Sequence, residues 1–208
     1  MKYYVLIATF ICIVLNSCNT FGVNFVTPKE QDLIIGITTK QILLNKLKKP
    51  IKSSKDLRNG QMVESLYYYY AIGQGAITST YSSKAFTAFF KNDTLIGYIF
   101  NSSFKEESTD FDETKVEKIV KGKSSQEDVL ASFGKPSGKT LYPVTEEDKT
   151  QEGDYNFYYV FEDISTKGEK LIVFTFGSNN IVKNIVFSVE NMEQNKNKQE
   201  TKRKGDTY

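Results

Sequence analysis

The chain repeats a stretch of its own sequence after an interval of 86 residues. The segment Gly36–Pro50 recurs as Gly122–Pro136, and in both copies the glycine and the proline are 14 residues apart. The segment Phe90–Ile96 matches Phe176–Val182 at the same interval. Similarity at a fixed period is the sequence signature of a structural unit that is built more than once. The repeat therefore predicts two modules of the same fold in tandem.

Each copy of the repeat opens with the signature of a helix N-terminus. Thr38 with Gln41, and Ser124 with Glu127, have the spacing of a capping box, in which two side chains satisfy exposed backbone N–H groups. The apolar residues that follow recur at helical spacing, and they are Leu43, Leu44 and Leu47 in the first copy and Val129, Leu130 and Phe133 in the second. We therefore predict an amphipathic helix in each module.

The end of this helix differs between the two copies. Gly134 can adopt the left-handed conformation that ends a helix, and Pro136 prevents the helix from resuming. The first copy has Lys48 at the position of Gly134. We therefore expect the first helix to end less sharply than the second.

Further elements surround this helix in both copies. A shorter helix is predicted before it, at residues 29–34 and 114–120. Aromatic, strand-like sequence follows each proline, at residues 66–72 and 155–161, and two more strands joined by a tight polar turn complete each copy. The sequence thus predicts an α+β fold of two tandem ααβββ modules, each a helix pair packed on a three-stranded antiparallel sheet.

The module boundaries follow from changes in composition. We place the modules at residues 28–105 and 114–190, and the acidic segment 106–113 between them as a solvated linker. The last segment, 191–208, is polar and basic and lacks apolar periodicity. Such a composition predicts a disordered tail.

The repeated pattern resembles the SmpA/OmlA family of BamE-like proteins. The shared features are Gly-x-Thr/Ser-Thr/Ser at a helix start, Leu/Phe-x-x-Pro at its end, an aromatic strand and a closing hairpin, and the second copy fits better than the first. The resemblance implies an outer-membrane lipoprotein of the β-barrel assembly machinery. This chain departs from the family pattern in two ways. BamE-like proteins usually carry one module, and the strand that characteristically contains tryptophan in them has tyrosine and phenylalanine here.

The tandem arrangement is also similar in topology to the β-lactamase inhibitory protein family. Members of that family bind an enzyme across two joined sheets, and this second resemblance implies a protein-binding role. They use disulfides, however, and this chain cannot form an internal one, because Cys12 would leave with the N-terminal apolar segment and only Cys18 would remain.

The N-terminus resembles the signal peptide and lipobox of bacterial lipoproteins. A short positive start, an apolar run from Val5 to Leu15 and a small residue at Ser17 precede Cys18. We therefore predict a signal peptide at residues 1–17, acylation of Cys18 and a lipidated tether at residues 18–27. The alternative, a retained transmembrane helix, needs about 20 apolar residues, more than this run supplies.

The anchor predicts a location in the bacterial cell envelope and a membrane as one partner. Asn19 follows the acylated cysteine, whereas an aspartate there favours retention at the inner membrane in the familiar sorting rule. This favours the outer membrane with the body facing the periplasm. In a cell with one membrane, the same anchor would place the protein on the cell surface.

The amino-acid composition disfavours several kinds of catalytic and metal site. The chain has no histidine, which removes the usual zinc ligand and the commonest general base, and its formal net charge of +2 gives no bias toward nucleic acid. We predict no metal, no cofactor and no enzymatic activity. A hydrolase that uses the loop carboxylates Glu146, Glu147 and Asp154 is kept as a less favoured hypothesis.

Aromatic residues on the predicted outer face of the strands are candidates for partner binding. Large tyrosine surfaces combine contact area with a polar tip, and exposed apolar patches usually mark interaction sites. The candidates are Tyr67, Tyr69, Phe89, Tyr98, Tyr158 and Val160. The alternative is that these outer faces bury each other or are covered by the segment 19–27.

The leading hypothesis is a non-enzymatic, lipid-anchored scaffold that binds an envelope protein and serves outer-membrane protein assembly or envelope integrity. The alternative is an inhibitor or receptor-type lipoprotein that binds a secreted enzyme or an envelope ligand through its two sheets.

Overall fold

The computed structural model describes residues 20–74, 80–145, 150–164 and 168–191. The predicted signal peptide, Cys18, Glu146, Glu147 and the predicted tail beyond residue 191 lie outside the described residues. Among the helices within the described ranges, none is long and apolar enough to cross a membrane.

The strands form one antiparallel sheet rather than two. Its nine strands lie in the order β1-β3-β4-β5-β6-β7-β8-β9, and β2 pairs with β3 on the same side as β1. The strands are β1 Thr20–Gly22, β2 Lys52–Arg58, β3 Gln61–Gln74, β4 Thr80–Lys91, β5 Thr94–Ser102, β6 Gly138–Leu141, β7 Tyr155–Asp163, β8 Gly168–Phe176 and β9 Val182–Asn191.

Helices are few and short. The described residues contain two α-helices, α1 Lys40–Leu47 and α2 Gln126–Phe133, and three 3₁₀ helices at Glu30–Asp32, Lys105–Glu107 and Glu113–Lys118. The prediction of two ααβββ modules, each with a helix pair on its own three-stranded sheet, is therefore wrong. The fold is dominated by a single antiparallel sheet.

The first predicted helix of each copy is a 3₁₀ turn because local bonds stop it. The hydroxyl oxygens of Thr38 and Ser124 accept the backbone N–H groups of Ile34 and Val120, at 3.1 and 2.9 Å. The glycine that follows in each copy has a positive φ, +82° at residue 36 and +77° at residue 122. A chain turned in this way cannot continue as an α-helix.

The caps of the α-helices lie one residue later than the sequence predicted. Thr39 caps α1 by accepting the N–H of Ile42, and Ser125 caps α2 by accepting the N–H of Asp128. The Asp128 carboxylate accepts the N–H of Ser125 in return, which completes a capping box. Each copy has two adjacent hydroxyl residues, and the second one takes the capping role.

The two α-helices end in the same way. Lys48 has φ +64° and ψ −147°, close to the φ +73° and ψ −152° of Gly134. The N–H of each donates to the carbonyl four residues earlier, at 2.8 Å in both helices. The expectation of a less defined end for α1 is wrong, because Lys48 adopts the backbone conformation that glycine adopts in the second copy.

Strand β6 joins the two halves of the chain into one sheet. It pairs with β5 on one side and with β7 on the other. The approach is close, since a Cβ on Gly97 would lie 2.7 Å from the Cα of Thr140, and one on Gly138 would lie 2.6 Å from the carbonyl oxygen of Tyr98. These two glycines allow the strands to meet.

Both α-helices cover the same face of the sheet, which we call the helical face. Two apolar clusters lie between helix and strand, one in each half. The most buried large side chains of the first are Leu43, Phe86, Phe90 and Leu95, and those of the second are Val129, Ile172, Phe174 and Phe176. A third, smaller cluster on the opposite, outer face contains Val63, Phe89 and Val144.

The predicted tether and linker are parts of the fold. Thr20–Gly22 forms β1, and Phe25 is buried against Tyr68 with ring centroids 5.8 Å apart. In the predicted linker, Glu107 forms an ion pair with Lys84 at 3.0 Å. The predicted tether is therefore held against the sheet by an apolar contact, and the predicted linker by an ion pair.

Candidate functional site

Three of the predicted partner-binding residues lie on the outer face as expected. Tyr67 and Tyr69 are half-buried and stack with ring centroids 6.4 Å apart. Val160 is partly exposed on β7, and the Glu162 carboxylate is two residues further along the same face. We call Tyr67, Tyr69, Val160 and Glu162 the tyrosine patch.

Neighbouring residues of the tyrosine patch raise the pKa values of its two tyrosines. Burial raises the pKa of Tyr67, and the neighbouring Tyr69 and Glu162 raise it further. Burial and the Glu162 charge also raise the pKa of Tyr69, against a hydrogen bond with Ser83. Both phenols are thus held neutral, and the patch offers two hydrogen-bonding tips beside one carboxylate.

The Glu162→Gln variant should be more stable than the wild type near neutral pH. Burial, with a smaller contribution from Glu169, raises the pKa of Glu162 above 4.5, so the folded state binds the proton more tightly than the unfolded state. Stability from this group is therefore lost as pH rises through the folded pKa. The gain in the variant should vanish below about pH 4, where the carboxyl is protonated in both states. Urea midpoints measured across pH would check this, and a pH-independent difference would contradict it.

Phe89 and Tyr158 are buried and offer no surface to a partner. Their exposed fractions are 6% and 3%. The connection between β6 and β7 folds over the outer face, where Val144 packs on Phe89. From β6 itself, the Thr140 hydroxyl oxygen lies 3.4 Å from the Tyr158 hydroxyl oxygen. Asn59 holds this connection by donating to the carbonyls of residues 143 and 145. Burial was the alternative expectation, but β6 and its connection to β7 cover these residues, rather than a second outer face or the segment 19–27.

Tyr98 is on the helical face, not on the outer face as predicted. A bulge between Phe89 and Phe90 shifts the register of β4 against β5, and Tyr98 then pairs with the inward-facing Ala88. A slip of one residue moves a side chain to the other face. The bulge thus places Tyr98 beneath the helices.

A cavity of about 380 Å³ opens on the helical face where the two halves meet. We call it the junction groove. Aromatic side chains from both halves line it, namely Phe86, Tyr98, Phe100, Phe111, Phe133 and Tyr159. Its volume lies in the range of about 300–1,000 Å³ that is usual for ligand and anchor pockets, which occur preferentially between domains.

The rim of the junction groove is charged. Glu30 from the first half and Lys135 from the second form an ion pair at 2.6 Å. A hydrogen bond and the charge of Lys135 lower the pKa of Glu30, while burial and the Glu30 charge raise the pKa of Tyr98. The groove therefore combines an apolar floor with a charged rim, to which Glu107 and Asp110 add two further carboxylates.

The walls of the groove are held in place by bonds to the sheet. Thr109 donates to the carbonyl of Val160 at 2.7 Å, and Lys170 donates to the carbonyl of Phe111 at 2.7 Å. Lys170 also pairs with Glu113 at 3.0 Å and lies 5.2 Å from the centre of the Phe111 ring. Tyr159 donates to the carbonyl of Gly134 at 2.8 Å. The groove is consequently largely preformed.

The sequence did not reveal the junction groove, although one signal was present. The Phe133-Gly-Lys-Pro136 motif predicted a helix end, and Phe133, Lys135 and Pro136 of this motif line one wall of the groove. Its other residues come from segments that β6 brings together, which the sequence did not predict.

Asp154, the described member of the proposed carboxylate set, has a structural role. It is 2% exposed, pairs with Lys183 at 2.6 Å and accepts the N–H of Gln151 at 3.0 Å. Glu146 and Glu147 lie outside the described residues. Within the part of the chain that the structure describes, no group of three carboxylate, cysteine or histidine side chains could hold a metal ion.

Comparison with known proteins gives one distant likeness. No family model and no curated protein matches the chain. Among solved structures, the fold is similar to that of a "putative beta-lactamase inhibitor protein" from Streptococcus mutans, with a TM-score of 0.42 and 13% identity over 79% of this chain and 90% of that chain. At this similarity the likeness fixes neither family nor function, and the SmpA/OmlA resemblance stays a prediction. The candidate site therefore rests on the chain's own residues.

Proposed function

We propose that the chain is a non-enzymatic, lipid-anchored envelope protein that binds a protein partner in the junction groove. The observation that carries the proposal is the preformed aromatic cavity at the joint between the two halves, with Glu30 and Lys135 at its mouth. Binding energy in protein interfaces concentrates in large side chains that fill such pockets. The partner would insert an aromatic or large aliphatic side chain flanked by charged residues.

Two features favour a protein partner over a small molecule. One wall of the groove is the chain segment 107–111, which lies at the surface and can contact a flanking backbone. The mouth also carries both signs of charge, which suits the polar rim of a protein interface.

Photo-crosslinking in intact cells tests the groove. A crosslinker at Ser108, which lines the groove and is exposed, should capture one specific protein. Phe100→Ala removes part of the apolar floor, and Lys135→Glu replaces the ion pair at the mouth with two like charges. Each variant should weaken capture about tenfold, as expected for loss of an interface hot spot.

A matched probe at Lys121 supplies the control. Lys121 is also exposed but is not among the groove-lining residues. Capture of the same protein from both positions, or undiminished capture by the Phe100→Ala variant, would contradict a role for the groove.

The lipid anchor is tested at Cys18 itself. Mass spectrometry of the protein extracted from membranes should show an N-terminal Cys18 that carries acyl chains, without residues 1–17. Cys18→Ser should release the protein from the membrane fraction. An unmodified Cys18 that still follows the N-terminal segment would reject the anchor.

The alternative hypothesis, an inhibitor or receptor-type lipoprotein, uses the same junction groove but predicts that a different protein is crosslinked there. Components of the barrel-assembly machinery should be crosslinked from Ser108 under the scaffold proposal. A secreted enzyme captured instead would replace the scaffold role with the inhibitor role.

A further inference from the structure

A mixed apolar and basic patch lies along the edge of β3 that pairs with β1 and β2. Phe21, Val23 and Ile51 are 60%, 65% and 49% exposed, although all three are large and apolar. Three exposed lysines, Lys48, Lys49 and Lys52, flank Ile51 in sequence. We call these six residues the edge patch.

Backbone bonds bring the two segments of the edge patch together. Val23 donates to the carbonyl of Tyr69 at 3.1 Å, and Ile51 donates to the carbonyl of Tyr67 at 2.9 Å. The segments thus lie one after the other along the same edge of β3. Gly22 is the point of contact, since a Cβ built there would lie 3.2 Å from Cδ1 of Ile51.

We propose that the edge patch rests on the surface of the anionic membrane to which the protein is anchored. The inference rests on the proposed acylation of Cys18. β1 begins at Thr20, only two residues after Cys18, and two residues span at most about 7 Å. A lipid on Cys18 therefore holds β1 at the level of the lipid headgroups, and Phe21 and Val23 face the interface.

The edge patch combines the two kinds of side chain that bind an anionic membrane surface. Lysines near an anionic leaflet are attracted to it, while apolar side chains beside them enter the boundary between headgroups and acyl chains. The edge patch has this combination along the edge of the sheet, with Phe21 and Val23 on the outer face, Ile51 on the helical face and three lysines beside Ile51 in sequence. Because acyl chains and a basic patch act together, the body would be held in one orientation rather than swinging on its anchor.

The backbone of Lys48 supplies an independent reason. Its φ of +64° and ψ of −147° fall in a region that is essentially restricted to glycine, and glycine occupies the equivalent position in the second copy. The N–H of Lys48 caps α1, and its carbonyl accepts the hydroxyl of Tyr68 at 3.1 Å, so both backbone groups could be served by glycine. Strained residues of this kind cluster at functional sites, which makes the Lys48 side chain a candidate for a function.

Vesicle cosedimentation tests the patch without the lipid anchor. The chain from residue 18 onward, with Cys18→Ser, should bind phosphatidylcholine vesicles that contain about one-third phosphatidylglycerol, and phosphatidylserine should serve equally as the anionic lipid. Lys48→Glu, Lys49→Glu and Lys52→Glu together should weaken binding by about one hundred-fold or more. Phe21→Ser with Val23→Ser should weaken it on every vesicle.

Two controls separate the patch from general charge and from unfolding. Lys118→Glu, Lys121→Glu and Lys123→Glu change the net charge equally on exposed lysines of the second copy, and they should leave binding within about twofold. Lys48→Gly should raise the denaturation midpoint because it relieves the backbone, and yet weaken vesicle binding about fivefold.

Equal losses in the two lysine sets would overturn the proposal, as would unchanged binding by Lys48→Gly. A wild-type chain that ignores vesicles but forms dimers that Phe21→Ser disrupts would assign the patch to a second copy instead. The anchor is judged separately by the mass of Cys18, so an acylated protein with an inert edge patch would refute only this inference.

Discussion

Replacing Lys183 with methionine should lower the free energy of unfolding by about 3 kcal/mol, the lower end of the range for breaking a buried ion pair, because the Asp154 carboxylate is buried whereas Lys183 is 38% exposed. The Asp154 side chain is 1% exposed, and Lys183 Nζ lies 2.6 Å from its carboxylate. Methionine matches the length of the lysine stem and removes only the charge. The N–H of Gln151 would remain as a donor to Asp154, which is not enough to balance a full buried charge.

Replacing the acidic partner, Asp154, should lower the free energy of unfolding by much less. Asp154→Asn leaves Lys183, whose side chain is 38% exposed and can turn to water. The double variant Asp154→Asn with Lys183→Met should recover much of the loss, since no buried charge remains. Urea denaturation of the four proteins gives the coupling energy. If Lys183→Met proves as mild as Asp154→Asn, the carboxylate is solvated and this explanation is wrong.

This pair also bears on the hydrolase hypothesis. A catalytic carboxylate must reach its substrate, whereas Asp154 is enclosed and bound to a lysine and a backbone N–H. The Asp154–Lys183 pair connects the start of β7 with β9 across the intervening β8. Its role in the described fold is therefore to fix the sheet of the second half.

The repeat in the sequence is matched by repeated bonds in the structure. Leu95 donates to the carbonyl of Thr38 at 2.8 Å, and Val182 donates to that of Ser124 at 2.9 Å. The hairpin of each half thereby holds the start of its own α-helix. The sequence located the helix starts and the hairpins through short local patterns, but not these bonds, which join residues 57 and 58 positions apart.

The joining of the halves was not predictable in the same way. The four residues of β6 begin two positions after Pro136 and carry no alternating apolar pattern, so the sequence alone places them in a polar loop. Their pairing depends on space beside Gly97, a residue 41 positions before Gly138 in the chain. Secondary-structure propensity and hydrophobic periodicity contain no information about whether two strands so far apart in sequence can pair.

The candidate site shares this dependence on long-range pairing. Tyr67 and Tyr69 could be placed on the outer face because β3 is long and regular. Tyr98 could not, because the bulge at Phe89 decides its face. The junction groove needs Tyr98 and Phe133 together, and only the joined sheet brings them to one cavity.

Gly138→Ala should therefore destabilise the protein by about 3 kcal/mol, the upper part of the range for overpacking. The added Cβ would lie 2.6 Å from the carbonyl oxygen of Tyr98 and 2.8 Å from the Cα of Ile99. Both are backbone atoms of β5, so they can move away only if β6 separates from that strand. Because residues 135–137 line the groove directly before Gly138, the variant should also weaken crosslinking from Ser108.

Gly177→Ala is the matched control. The Cβ added there meets only side-chain atoms, of Asn179 at 3.0 Å and Lys183 at 3.2 Å. Gly177 is buried and Lys183 is paired with Asp154, but flexible side chains give way more easily than paired backbone, so the cost should be about 1 kcal/mol, the lower end of the range for overpacking. Equal urea midpoints for the two variants would show that β5 and β6 do not pair closely in solution. Two independent halves would then replace the continuous sheet, and the junction groove would lose its floor.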